Sequence, residues 1–182
     1  MSSETNWKER IVELVLVKQA IQEVDTGGLW AYHLPSVAAT PSQLAAAEVA
    51  IGEPLDPSYR KFLEHVGGWL AFWQTVDLFG PEDLVGGPRF RHALEMLQYI
   101  EDSVLGSVGL RRKDLLPIAA SPVDLDLFLM TRRSSQAPGR VIWLAGSEVD
   151  RWPSFDEFYL AMVDYNRLEH RQLKGSADAS SS

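Results

Sequence analysis

The chain has no cysteine, which removes disulfides, thiolate nucleophiles and every zinc site built on cysteine. A reducing compartment is compatible with that composition. Basic residues are the second shortage: 17 Lys and Arg stand against 25 Asp and Glu, a formal charge of −8. Direct binding to a nucleic-acid backbone or an anionic membrane is therefore disfavoured, and a basic partner is favoured. Long apolar runs are the third. None approaches the roughly 20 residues needed to span a bilayer, and the opening MSSETNWKER puts acidic and polar groups where a signal peptide carries a short basic region. The expectation is a soluble, cytoplasmic protein.

Signals for chemistry are also sparse. A phosphate-cradling loop needs a Gly-rich turn ahead of a Lys and a helix, and the pairs Gly27–Gly28, Gly67–Gly68 and Gly86–Gly87 read instead as helix stops and turns. The nearest approach to an anion site is GSVGLRRK, from Gly106 to Lys113, which reads first as a solvated loop. His33, His65, His92 and His170 are scattered, with no two at helical metal-ligand spacing. Asp124 and Asp126 alternate with apolar residues and fall on one face of an expected strand, where an exposed polar face outweighs a paired-carboxylate site. Ser121 and Ser154 are explained by a turn and a cap, leaving no nucleophile with a matched base. No catalytic residue, metal or cofactor is expected. A small hydrolase or metal enzyme using Asp124, Asp126 and a histidine is the weakest of three functional readings.

What the chain does contain is a well-punctuated core. At 182 residues with 46% hydrophobic and 23% charged residues, it suits one globular domain and excludes general disorder. Apolar spacing predicts a helix over about Trp7 to Val24, wide enough in its apolar arc to be covered on more than one side. Thr40, Pro41 and Gln43 start a second helix that Gly52 ends, and Asp56 and Pro57 start a third carrying Tyr59, Phe62, Leu63 and Val66. Residues 69–80 suggest one or two strands, 89–103 a helix, and 115–119, 123–130 and 140–144 further strands. Ser154 and Glu157 open a final helix to about Glu169.

Acidic residues also form groups. Asp77, Glu82 and Asp83 follow the first strands, and Glu148, Asp150, Asp156 and Glu157 flank Trp152. Helix starts explain Glu82, Asp83, Asp156 and Glu157 through the helix dipole. The competing expectation is a contact face with Trp73 or Trp152 as aromatic anchor among Asp77, Glu82, Asp83, Glu148 and Asp150, suited to a basic protein.

The order of these segments resembles the SUKH superfamily (SMI1/KNR4-like), which includes bacterial immunity proteins and a fungal cell-wall synthesis regulator. The resemblance rests on Thr40, Pro41 and Glu48, on AIGEPLDPSYRKFLEHVGG from Ala50 to Gly68, on LFGPEDL from Leu78, on LLPIAAS from Leu115, and on VIWLAGSEVDRWPSFDEFYLAMV from Val141. It implies a single α+β domain, with helices around a mixed or antiparallel sheet of about four to six strands. Residues 1–35 are then a helical extension packed on a domain of 36–172, and 173–182 a disordered tail. It further implies no enzymatic activity, and binding to a cognate toxin, often a nuclease, inside the producing cell. An interaction scaffold or regulator with the same fold is the alternative. The contact face and oligomeric state are left open.

Overall fold

The computed structural model describes residues 5–180. Its first helix, α1 (Trp7–Val24), is started by the Asn6 side chain, which accepts the Glu9 N–H. Next, α2 (Pro41–Ile51) has the full Thr40/Gln43 capping box and stops at Gly52, whose φ of 78° suits a residue without Cβ. Asp56 starts α3 (Pro57–Leu63) by accepting from the Ser58 and Tyr59 N–H groups. These local signals place the helices as the sequence predicts.

A hairpin follows, β1 (Trp69–Trp73) and β2 (Val76–Leu78), turning at Gln74 and Thr75. The chain then crosses through α4 (Pro81–Leu84), α5 (Pro88–Tyr99), α6 (Asp102–Ser107) and a 3-10 turn at Arg112–Asp114. It re-enters the sheet as β3 (Leu115–Ala120), β4 (Leu127–Thr131), β5 (Val141–Ala145) and β6 (Ser147–Trp152), and ends in α7 (Phe155–Ser180). The sheet is a six-stranded antiparallel meander in sequence order. This is the α+β single domain that the sequence implies.

Every residue of β3 and β4 is buried, so the middle of the sheet is covered on both faces. On one, Phe128 packs on Phe158 of α7 at 5.5 Å and stacks on Trp143 at 5.2 Å. On the other, Leu127 and its cross-strand partner Leu144 face Met96 and Ile100 beside α5. The helices share this core. Trp7 of α1 meets Phe62, Phe155 and Tyr159 at 5.3–5.7 Å, so the N-terminal helix belongs to the same apolar interior.

Two glycine-dependent contacts fix how α3 enters the sheet. A Cβ on Gly80 would fall 1.7 Å from the Gly67 carbonyl oxygen, and Gly68 has φ of 110°. The Gly67–Gly68 stop therefore lies directly against the end of β2, and the Tyr59 hydroxyl closes the corner by donating to the Phe79 carbonyl at 2.6 Å. A bulge in β1 is held with equal care. Ala71 has φ of 46°, its N–H donates to Asp77, and its carbonyl accepts from the buried Lys18 ammonium at 2.5 Å. The adjacent Phe72 carbonyl accepts from Lys18 and from Asn166 of α7.

Several sequence expectations are corrected. Residues 123–126 form the turn before β4, and Val123 and Leu125 are 73% and 70% exposed. The Ser121 hydroxyl sets that turn by accepting the Val123 and Asp124 N–H groups. Helix α5 ends at Tyr99, before the expected Ser103, because Arg112 donates to the Leu97 and Ile100 carbonyls that would continue it. Strand β6 is present where no strand is predicted. The wide apolar arc of α1 is covered on one side, leaving Val12 and Leu16 exposed. Finally, α7 stays helical through the stretch read as a disordered tail as far as Ser180, and residues 181–182 lie outside the described residues. Among the described residues no helix is long and apolar enough to cross a membrane.

Candidate partner-binding surface

Both expected aromatic anchors are interior residues. Trp73, 8% exposed, packs edge-on to Trp143 at 5.0 Å and against Tyr165 at 5.9 Å. Trp152, also 8% exposed, lies between Phe128 and Phe158. Neither offers a free ring to a partner, which corrects the anchor role assigned to them. Their burial follows from position: each ends a strand where α7 crosses the sheet.

Most of the acidic candidates also have partners within the chain. Asp77 accepts the Ala71 N–H at 2.8 Å, and burial holds its carboxyl above the usual carboxylate range. Asp83 accepts the Gly80 N–H and takes a two-pronged contact from Arg89 at 2.8 and 3.1 Å, a geometry that fixes the α4 corner. Glu148 pairs with Arg151 at 2.6 Å, and Asp150 accepts from the Tyr165 hydroxyl. Within the first acidic group, Glu82 is the exposed member. Asp77 and Asp83 both feel Arg89, whereas Glu148, Asp150 and Trp152 lie on the far edge strand. The two groups do not form one patch.

Asp124 and Asp126 also have separate partners: Asp124 accepts from the Thr75 hydroxyl at 3.0 Å, and Asp126 accepts from Trp143 Nε1 at 2.7 Å. Burial raises the Asp126 carboxyl above its ordinary value. Among the described residues no group of three or more His, Asp or Glu is placed to share a metal ion.

A different surface has the composition expected of a contact face. The break between α5 and α6, the turn before β4 and the Gly146 turn between β5 and β6 enclose a groove of about 490 Å³. Its walls are mainly apolar, from Met96, Tyr99, Ile100, Val104, Leu125 and Leu144. Tyr99 is 88% exposed and Leu125 70%. Large exposed side chains gathered around a concavity suit a protein contact, since a Tyr carries area and a hydrogen-bonding tip at low entropic cost.

Glu101 is the one charged residue that lines the groove. Glu95 lies one helical turn before Tyr99, whereas Asp124 and Asp126, on either side of Leu125, turn their carboxylates to Thr75 and to Trp143, the latter on the α7 face of the sheet. Glu95 and Glu101 form no ion pair among the described residues. Asp102 is tied to Arg112. An apolar side chain with a neighbouring cation is the complementary chemistry. Sequence reasoning missed this groove because its residues come from three separated segments. One signal was available: Pro122 ahead of Val123 and Leu125 favours a turn, which leaves those apolar side chains without a core.

An antiparallel meander clamped between helices, with an apolar groove and no catalytic constellation among its described residues, defines a single-domain α+β protein with a surface suited to macromolecular contact. The chain belongs to the SMI1 / KNR4 family (SUKH-1), whose family model matches residues 38–161. No curated protein matches it. The matched region contains the Gly67, Gly68 and Gly80 corner and the whole sheet, and it begins after α1.

Proposed function

We propose that this chain is a cytoplasmic immunity-type protein that neutralises a cognate toxin, of nuclease type, by stoichiometric binding through the groove between α5, α6 and the β4 turn. Family membership supports the class of function. The observation that carries the contact face is the exposed pair Tyr99 and Leu125 over an apolar groove that Glu101 also lines. A formal charge of −8 favours rapid encounter with a basic nuclease surface, while the groove supplies the desolvated contact that slows dissociation. No chemical step on the toxin is required.

The test is co-expression with the toxin encoded beside this chain, read by growth rescue and by co-purification. Tyr99→Ala combined with Leu125→Glu should weaken the complex by about 30-fold or more, the scale of lost hot-spot contacts. Both side chains are exposed, so the variant should keep its fold. Absence of binding to the neighbouring toxin would overturn the proposal, and a complex unaffected by the double substitution would remove the groove from it. A pull-down dominated by host assembly or signalling proteins would instead support a scaffold of the same fold.

A further inference from the structure

A second cleft concentrates arginine side chains, one of them without a counter-charge among the described residues. It measures about 400 Å³ and lies between the loop following α6, the β4–β5 loop and strand β6. Three arginines line it, Arg111, Arg140 and Arg151, against one carboxylate, Asp114. This gathers 3 of the chain's 17 basic residues at one concavity in a protein of net charge −8. We propose that this cleft binds the phosphoryl group of a small phosphorylated molecule with an apolar or planar body, the class that includes nucleoside phosphates. The inference is independent of the toxin-binding groove.

The state of each arginine supports the assignment. Arg111 is held by Asp114 at 2.6 Å. Arg151 is held by Glu148 and also donates to the Val108 carbonyl at 2.8 Å. These contacts orient two guanidinium groups at the cleft before any ligand arrives. Arg140 differs: its backbone is fixed through Thr131, but its guanidinium has no ion pair among the described residues. It is the free cation of the three, and its planar donor fork matches a phosphoryl group in two-pronged geometry.

A buried orphan provides a second, independent observation. Ser135 lines the same cleft, and its Oγ, with less than 1 Å² accessible, has no hydrogen-bond partner. A buried hydroxyl without a partner is a group that a ligand oxygen can satisfy. Rotation about a single side-chain bond is the smallest motion that can bring it to a ligand oxygen. The rest of the wall includes Leu110, Leu115 and Ala137, which give an apolar body somewhere to lie. The volume falls within the range of small-molecule sites, about 300–1,000 Å³.

The experiment is a titration of the full chain with inorganic phosphate, pyrophosphate and adenosine monophosphate. It is read by two-dimensional NMR shifts and by thermal unfolding, with Arg140→Gln and Ser135→Ala measured alongside. Residues 106–111 and 135–140 should shift, the nucleotide should bind more tightly than phosphate, and Arg140→Gln should lower affinity at least tenfold. The Arg140 side chain is exposed and unpaired, so the variant retains its fold, which its urea midpoint verifies. No shift at these residues with any probe up to about 10 mM, a range reaching millimolar affinities, would overturn the site. So would binding that Arg140→Gln leaves unchanged, or binding of an acidic peptide at the cleft while phosphates leave it silent.

Discussion

Replacing Lys18 with Met should change how stability depends on pH. Lys18 is 6% exposed, and its ammonium donates to the Ala71 and Phe72 carbonyls. Among the described residues no carboxylate forms an ion pair with it. Burial therefore lowers its pKa from 10.5 to about 8. Below pH 8 both folded and unfolded chains carry the proton, and the fold bears the whole burial cost. Between pH 8 and 10.5 the unfolded chain binds more protons, so stability rises with pH, and above 10.5 the cost is gone. The span of about 2.5 pH units corresponds to roughly 3 kcal/mol. Met keeps most of the stem volume without the charge, but leaves the Ala71 carbonyl without its donor at a cost of about 1–3 kcal/mol. Near pH 7 these effects nearly cancel, and the two proteins should unfold at similar urea concentrations. By pH 10.5 wild type should be ahead, the difference having moved by about 3 kcal/mol. Paired urea unfolding curves from pH 7 to 10.5 measure this directly, because other titrating groups cancel in the difference. A difference flat to within about 1 kcal/mol would show that Lys18 is not a desolvated ammonium, refuting the reasoning.

Gly80→Ala should cost more than about 4 kcal/mol, because the new Cβ meets backbone that cannot move aside; a wild-type urea midpoint would contradict the Gly67 contact. Trp7→Ala should lose about 3–5 kcal/mol in a single cooperative transition. An unchanged midpoint would make α1 an appendage, detached from the core. For the complex, association with a basic toxin should slow as salt rises while dissociation changes little, read by stopped-flow mixing. A salt-independent association rate would remove charge steering.

The helical half of the fold was legible because its signals are local. Thr40 with Gln43, Asp56 with Pro57, and Gly52 each state a boundary within a few residues. The sheet was legible in outline, but β6 was missed, since Glu148, Asp150 and Arg151 give an edge strand the appearance of a polar connection. Edge strands tolerate such charge, which also guards them against pairing with another chain. Residues 123–126 failed in the opposite sense. Their alternation imitates a strand, but the Ser121 turn overrides it. The site was the least legible part. Trp73 and Trp152 carried the right chemistry for anchors but ended strands beneath α7, and the acidic residues around them are held by backbone N–H groups, arginines and a tyrosine hydroxyl. The family motif proved to be architectural, because the Gly67–Gly68 stop and the LFG glycine, 12 residues apart between Gly68 and Gly80, meet at a single corner.

The most direct measurement is titration of the purified toxin domain encoded beside this chain with increasing amounts of the chain, following toxin activity and complex mass together. The expected result is a fixed-stoichiometry complex whose formation removes toxin activity, weakened by Tyr99→Ala with Leu125→Glu and restored by wild-type chain. A toxin that keeps full activity in excess chain, with no complex formed, would contradict the immunity function itself.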